Sequence, residues 1–157
     1  MRQKHIVLAE DETPARTTLK IILVKAGYRV TAVTNGTEAL DLLVSTVQNR
    51  ETVDLLVTDI RMPGLTGMEL IDELKKSNIE IPVLVITGFG SKEMVIQLMR
   101  KGCNDFIEKP FEPGEVLKRV EEVLKKKELE QVKWKTSRET LEMETYKQEL
   151  PGFDPAV

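Results

Sequence analysis

At 157 residues, with 41% hydrophobic and 31% charged residues and a formal net charge of −3, the chain suits one ordinary domain plus an appendage. That charge excludes a general basic field for nucleic acid or an anionic membrane, the single cysteine excludes an internal disulfide, and no apolar run approaches the ~20 residues that span a bilayer. Only 4% of residues are aromatic, so the core has to be aliphatic, and the polar start Met1 to His5 precedes too short a run for a signal peptide, which makes the cytoplasm the expected compartment.

Ile6 to Ala9 reads as a buried strand ending in three carboxylates, Glu10, Asp11 and Glu12, a cluster whose mutual repulsion is costly unless a cation sits there. Thr13-Pro14 opens a helix with Leu19, Ile22 and Leu23 at helical spacing, and Gly27 suits its C-terminal cap. Arg29 to Val33 alternates as a second strand. Thr34-Asn35-Gly36 followed by Glu38 marks a helix start, with Ala39, Leu40, Leu43 and Val44 inward. Polar Gln48 to Thr52 connects to a third strand, Val53 to Thr58, whose tip carries Asp59.

Met62-Pro63-Gly64-Leu65 is a loop, and Thr66 with Glu69 forms a capping box for a third helix carrying Met68, Leu70, Ile71 and Leu74. Pro82 to Ile86 is a fourth strand, with its proline where a missing donor matters least, and it ends on Thr87-Gly88. Ser91 caps a fourth helix bearing Met94, Val95, Leu98 and Met99, which Gly102 closes. Asp105 to Ile107 is a short fifth strand, followed by Glu108-Lys109-Pro110-Phe111. Pro113 opens a fifth helix with Val116, Leu117, Val120, Val123 and Leu124 inward.

Five strands and five helices in strict alternation with short connections predict an α/β fold, an open doubly wound parallel sheet. Its strand tips then gather Glu10, Asp11, Asp59, Thr87 and Lys109 along one edge, where such sheets bind ligands. An aspartate after a strand also suits a turn or a helix cap, and that reading of Asp59 competes until the other tips are counted. Converging carboxylates make a hard-oxygen site for Mg²⁺. An ionised aspartate needs no base to attack phosphorus, and a lysine and a hydroxyl can bind the phosphoryl oxygens, roles open to Lys109 and Thr87. His5, at the opposite end of its strand, is expected to take no part, and Cys103 reads as a packing residue.

Over about residues 4 to 125 the chain resembles the receiver domain of two-component response regulators, in particular receivers of the nitrogen-regulation type of activator. The likeness is carried by Ile6 to Glu12, Asp59-Ile60-Arg61-Met62-Pro63-Gly64, Thr87-Gly88-Phe89-Gly90 and Glu108-Lys109-Pro110-Phe111. It implies a flavodoxin-like strand order of 2-1-3-4-5 and Asp59 as phosphoacceptor. It also implies Glu10 and Asp11 as the acidic metal pair, the Met62 backbone carbonyl as a further Mg²⁺ ligand, Thr87 as switch hydroxyl and Lys109 as phosphate-binding lysine, before a cis proline. Glu10 stands where many members have Asp, and its longer arm is expected to reach the metal through water. Phe106 matches the family's switch aromatic, with plain core packing as the alternative, and Phe89 and Arg61 flank the site where water would approach. The implied donor is a sensor histidine kinase or a phosphotransfer protein.

The receiver is expected to occupy residues 1–124 and a charged helical extension 125–157. Leu129, Val132, Met143, Tyr146 and Leu150 form a weak stripe, interrupted at Thr136 and Glu139, which fits either a solvated helix or a pairing coil. Two organisations follow: a receiver cut from a longer protein with the helix as connector, which we favour, or a tail that itself mediates homodimer formation. Two rival functions remain in view. Phosphatases with an aspartyl nucleophile usually carry a second Asp two residues on, and here that residue is Arg61. A non-phosphorylated pseudo-receiver serving only as a binding or dimerisation module is opposed by the complete set Asp11, Asp59, Thr87 and Lys109.

Overall fold

The structure is a computed structural model and describes residues 2–88 and 90–149. Five parallel strands alternate with five helices: β1 (His5–Ala9), α1 (Thr13–Lys25), β2 (Arg29–Val33), α2 (Gly36–Gln48), β3 (Leu55–Asp59), α3 (Gly67–Lys76), β4 (Val83–Thr87), α4 (Lys92–Arg100), β5 (Asp105–Glu108) and α5 (Pro113–Glu149). They pair in the order β2-β1-β3-β4-β5, the flavodoxin-like arrangement expected. The chain leaves β1 for one edge and returns across it to β3. That reversal opens a crevice at the carboxyl ends of β1 and β3.

Every residue of β1, β3 and β4 is buried, because helices cover both faces of the central strands and their side chains alternate between two apolar layers. Val7, Leu56 and Val85 face Leu43 of α2, Leu70 and Leu74 of α3 and Leu98 of α4. Ile6, Leu8, Leu55, Val57 and Leu84 face Leu19 and Leu23 of α1 and Val116 and Val120 of α5. Each of these leucines contributes about 1.5–3 kcal/mol by leaving water, which makes the layers the main source of stability.

Local signals set the helix ends. The Asn35 side chain accepts from the Glu38 N–H, Ser91 accepts from the Met94 N–H, and Thr66 and Glu69 complete a reciprocal capping box. Gly27 and Gly102 take φ values of 98° and 92°, the left-handed conformation that ends α1 and α4.

Two expectations shift. β3 starts at Leu55 instead of Val53, since the Asp54 carboxylate accepts the His5 N–H at 2.8 Å and two bonds from Arg2, which makes Asp54 a side-chain anchor. Met99 does not join the inward stripe of α4. It is 50% exposed, while Leu98 is fully buried.

The chain divides into two compact units, Met1–Leu124 and Lys125–Val157. Within the second, residues 125–149 are helical, and Leu129 and Val132 are exposed. The remainder of the expected apolar stripe, Met143, Tyr146 and Leu150, lies outside the residues whose side chains are described, as do Pro151 to Val157. Among the described residues no helix is long and apolar enough to cross a membrane.

Candidate functional site

Asp59 is the last residue of β3, and its carboxylate is held from two sides. Oδ1 accepts the backbone N–H groups of Ile60 and Arg61 at 2.6 and 3.3 Å, and Oδ2 accepts from Lys109 Nζ at 2.6 Å. The same ammonium donates to Glu10 Oε1 at 2.8 Å. Lys109 therefore bridges acids from β1 and β3, reaching them from the loop after β5. Its position is fixed by its own N–H, which donates to the Thr87 carbonyl at 2.8 Å, and the Lys109–Pro110 bond is cis.

Asp11 completes the acidic group: one carboxylate oxygen from each of Glu10, Asp11 and Asp59 lies within 4.8 Å of the others. Glu10 is 1% exposed. Burial, reinforced by its hydrogen bond with Asp59, pushes the Glu10 carboxyl up to about 8 despite the nearby lysine. Burial opposes the charge on Lys109, but its bonds to Asp59 and Glu10 outweigh that and raise its pKa. Three carboxyl groups therefore converge where one ammonium reaches two of them. Hard oxygen donors gathered in this way suit a small divalent cation, so the residues present fit a metal of the magnesium type.

Thr87 ends β4 and is buried, next to the register that sets Ile86 opposite Asp59. Met62 lies buried in the loop leaving β3, its sulfur 4.0 Å from the Thr58 hydroxyl. Phe106 sits opposite Val85 on β5, half-buried against the layer under α2, α3 and α4. His5 lies at the far end of β1, where its Nε2 pairs with Thr31 Oγ1 at 2.8 Å, away from the acids. Cys103 is buried with its thiol pushed up to about 11 by burial, which makes it inert. Phe89 lies outside the described residues.

Sequence reasoning missed three supports. A Cβ on Gly67 would collide with the Asp59 carbonyl oxygen, so α3 begins directly against the backbone of the β3 tip, and the Gly67 N–H bonds the Ile60 carbonyl at 2.9 Å. Gly36 is closed the same way by the Leu65 carbonyl. Arg16, on α1, bonds the main chain of the acidic stretch. The only hint for Gly67 was a glycine in the first turn of a helix, a poor helix former kept there for space.

An α/β sheet with an acidic pocket at its switch point and a lysine across it defines a receiver-type module. Residues 6–121 match the response regulator receiver domain, and the chain belongs to that family. It is 34% identical over 127 residues to the C4-dicarboxylate transport transcriptional regulatory protein DctD of Pseudomonas aeruginosa, covering 81% of this chain and 26% of that protein. It is 39% identical over 117 residues to the transcriptional regulatory protein FixJ of Rhizobium meliloti, covering 74% and 54% respectively. The crystal structure of FixJ-N superposes with a TM-score of 0.70 at 33% identity over 80% of this chain and 96% of that one. A CheY-like receiver from Methanospirillum hungatei gives 0.72 at 27% identity over 82% and 99%. The chain spans between 26% and 54% of the length of those two curated relatives.

Proposed function

We propose that this receiver is a phosphorylation-dependent signalling switch that takes a phosphoryl group from the phosphohistidine of a sensor histidine kinase or phosphotransfer protein onto Asp59. The observation that carries this is the Asp59 side chain itself: buried at a strand tip, bonded by Lys109 Nζ at 2.6 Å, with Arg61 two residues on where a proton-carrying acid would stand. An Asp59 oxygen forms the O–P bond as the P–N bond breaks, and the electron pair leaves with the imidazole, which takes up a proton. The acyl phosphate stays on the protein, so the domain promotes its own phosphorylation and dephosphorylation without turning over an external substrate.

Glu10, Asp11, Asp59 and the Met62 carbonyl would hold Mg²⁺, which when bound supplies positive charge to the phosphoryl oxygens. Lys109 Nζ already donates to Asp59 Oδ2, and exchanging that bond for one to the new dianion would keep it paired throughout. The Thr87 hydroxyl then moves to the phosphoryl group, and Phe106 turns inward into the space it leaves. That biases the α4, β5 and α5 surface between two states. The helix of residues 125–149 serves as a connector to an output module or as a pairing element, in the cytoplasm.

Intact mass after incubation with Mg²⁺ and acetyl phosphate tests the reading. One added phosphate in the wild type, absent in Asp59→Asn and with EDTA, is expected. A folded wild type that gains no phosphate overturns it in favour of a non-phosphorylated binding module.

A further inference from the structure

The acidic stretch lies between the end of β1 at Ala9 and the start of α1 at Thr13, tied to the sheet by the Glu10 N–H, which donates to the Val33 carbonyl at 3.1 Å, and to α1 by the Glu12 carbonyl. Its residue at the helix N-cap, Glu12, makes no side-chain capping bond. Yet the segment must hold Glu10 and Asp11 close to Asp59 against the repulsion of three carboxylates. The structure shows one residue bonded to the carbonyls of all three positions. The Arg16 N–H donates to the Glu12 carbonyl at 2.9 Å, and its Nη1 donates to the Glu10 and Asp11 carbonyls at 3.0 and 3.2 Å. Nη2 is anchored on Thr13 Oγ1 at 3.2 Å.

From this geometry we infer that Arg16 is a positioning residue for the cation site: its guanidinium clamps consecutive carbonyls of the β1–α1 connection so that the Glu10 and Asp11 side chains stay converged on Asp59. The inference rests on the proposed Mg²⁺ site. The planar fork matters because one rigid group spans two carbonyls and a hydroxyl, which a lysine ammonium on a flexible stem does not reproduce. Groups that orient metal-binding side chains typically change affinity by 10–100-fold when removed.

The clamp and a simple charge effect predict opposite signs. Arg16 places a positive charge beside a cation site, so if charge were its only influence, Arg16→Gln would tighten Mg²⁺ binding and Arg16→Lys would leave it unchanged. A clamp predicts weaker binding in both.

The test is calorimetric titration of Mg²⁺ into unphosphorylated wild type, Arg16→Lys and Arg16→Gln, with urea unfolding in EDTA and amide exchange of residues 10–13. We expect about tenfold weaker Mg²⁺ binding in both variants and faster exchange confined to the acidic stretch, a pattern that general loss of helix stability does not give. Unchanged affinity in Arg16→Lys, or tighter binding in Arg16→Gln, overturns the clamp while leaving the phosphoacceptor reading intact. Should Arg16→Gln fail to fold, Arg16→Lys decides alone. A wild type that binds no Mg²⁺ overturns the cation site and the clamp with it.

Discussion

Gly67→Ala adds one methyl group where the first turn of α3 meets the end of β3. Its Cβ would meet the Asp59 carbonyl oxygen, Ile60 Cα at 2.9 Å and the Asp59 carbonyl carbon at 3.2 Å, all of them main-chain atoms in a buried strand end that no rotamer change can move. Overpacking of this kind costs about 1–3 kcal/mol, and the reduced freedom of the unfolded chain returns about 0.4–1 kcal/mol. The net loss is about 1–2 kcal/mol, which lowers the midpoint of thermal unfolding by roughly 4–8 °C. Gly114→Ala is the matched control: it also lies in the first turn of a helix, its added Cβ would meet nothing within 4 Å, and its midpoint is expected to hold or rise slightly. Because the displaced atoms belong to Asp59 and its neighbour, phosphorylation by acetyl phosphate should slow by up to about 100-fold in Gly67→Ala, as a misplacement near 1 Å does elsewhere. Melting by circular dichroism and intact mass over time read both effects. A Gly67→Ala protein as stable as Gly114→Ala and phosphorylated at the wild-type rate would refute the close-approach argument.

Glu10→Gln should raise the stability of the metal-free protein above that of the wild type at pH 8. The Glu10 carboxyl is raised from 4.5 to about 8 on folding, so the folded state binds more protons across that window and stability falls as pH rises through it. Urea midpoints in EDTA at pH 5 and pH 8 should show that slope flattened in the variant, and an unchanged slope would remove Glu10 as its source. His5 has the opposite sign. Burial, with Arg29 nearby, lowers its pKa from 6.5, so stability present above that value is lost as pH falls below it. His5→Gln is expected to reduce the loss between pH 7.5 and 5.5 without changing phosphorylation, measured by the same unfolding series and by intact mass.

The parts of this fold that were legible in the sequence are those written in contiguous residues. Apolar runs gave β1, β3 and β4 because central strands buried on both faces need no alternation, and the caps at Asn35, Thr66 and Ser91 are local chemistry. The acids were legible as tips of those strands. The start of β3 was misplaced because Val53 is apolar and nothing in the sequence shows that Asp54 anchors His5 and Arg2. Met99 fitted the helical period, but α4 buries a narrower face than its apolar residues suggest, with Leu98 its one fully buried position. Gly67 and Arg16 were missed for a common reason. Their partners are main-chain atoms, which carry no residue identity to recognise.

The bridge from Lys109 joins residues 99 positions apart to Glu10 and 50 apart to Asp59. Neither β1 with its acids nor β3 with its aspartate can assemble the pocket until β5 has docked at the far edge of the sheet. A chain still emerging from the ribosome, or one cut by a protease before residue 109, presents acids without their counter-charge. On the phosphoacceptor role proposed above, competence to take phosphate would belong only to the finished domain, so that a pool of partly made or damaged receivers would not drain phosphate from the donor.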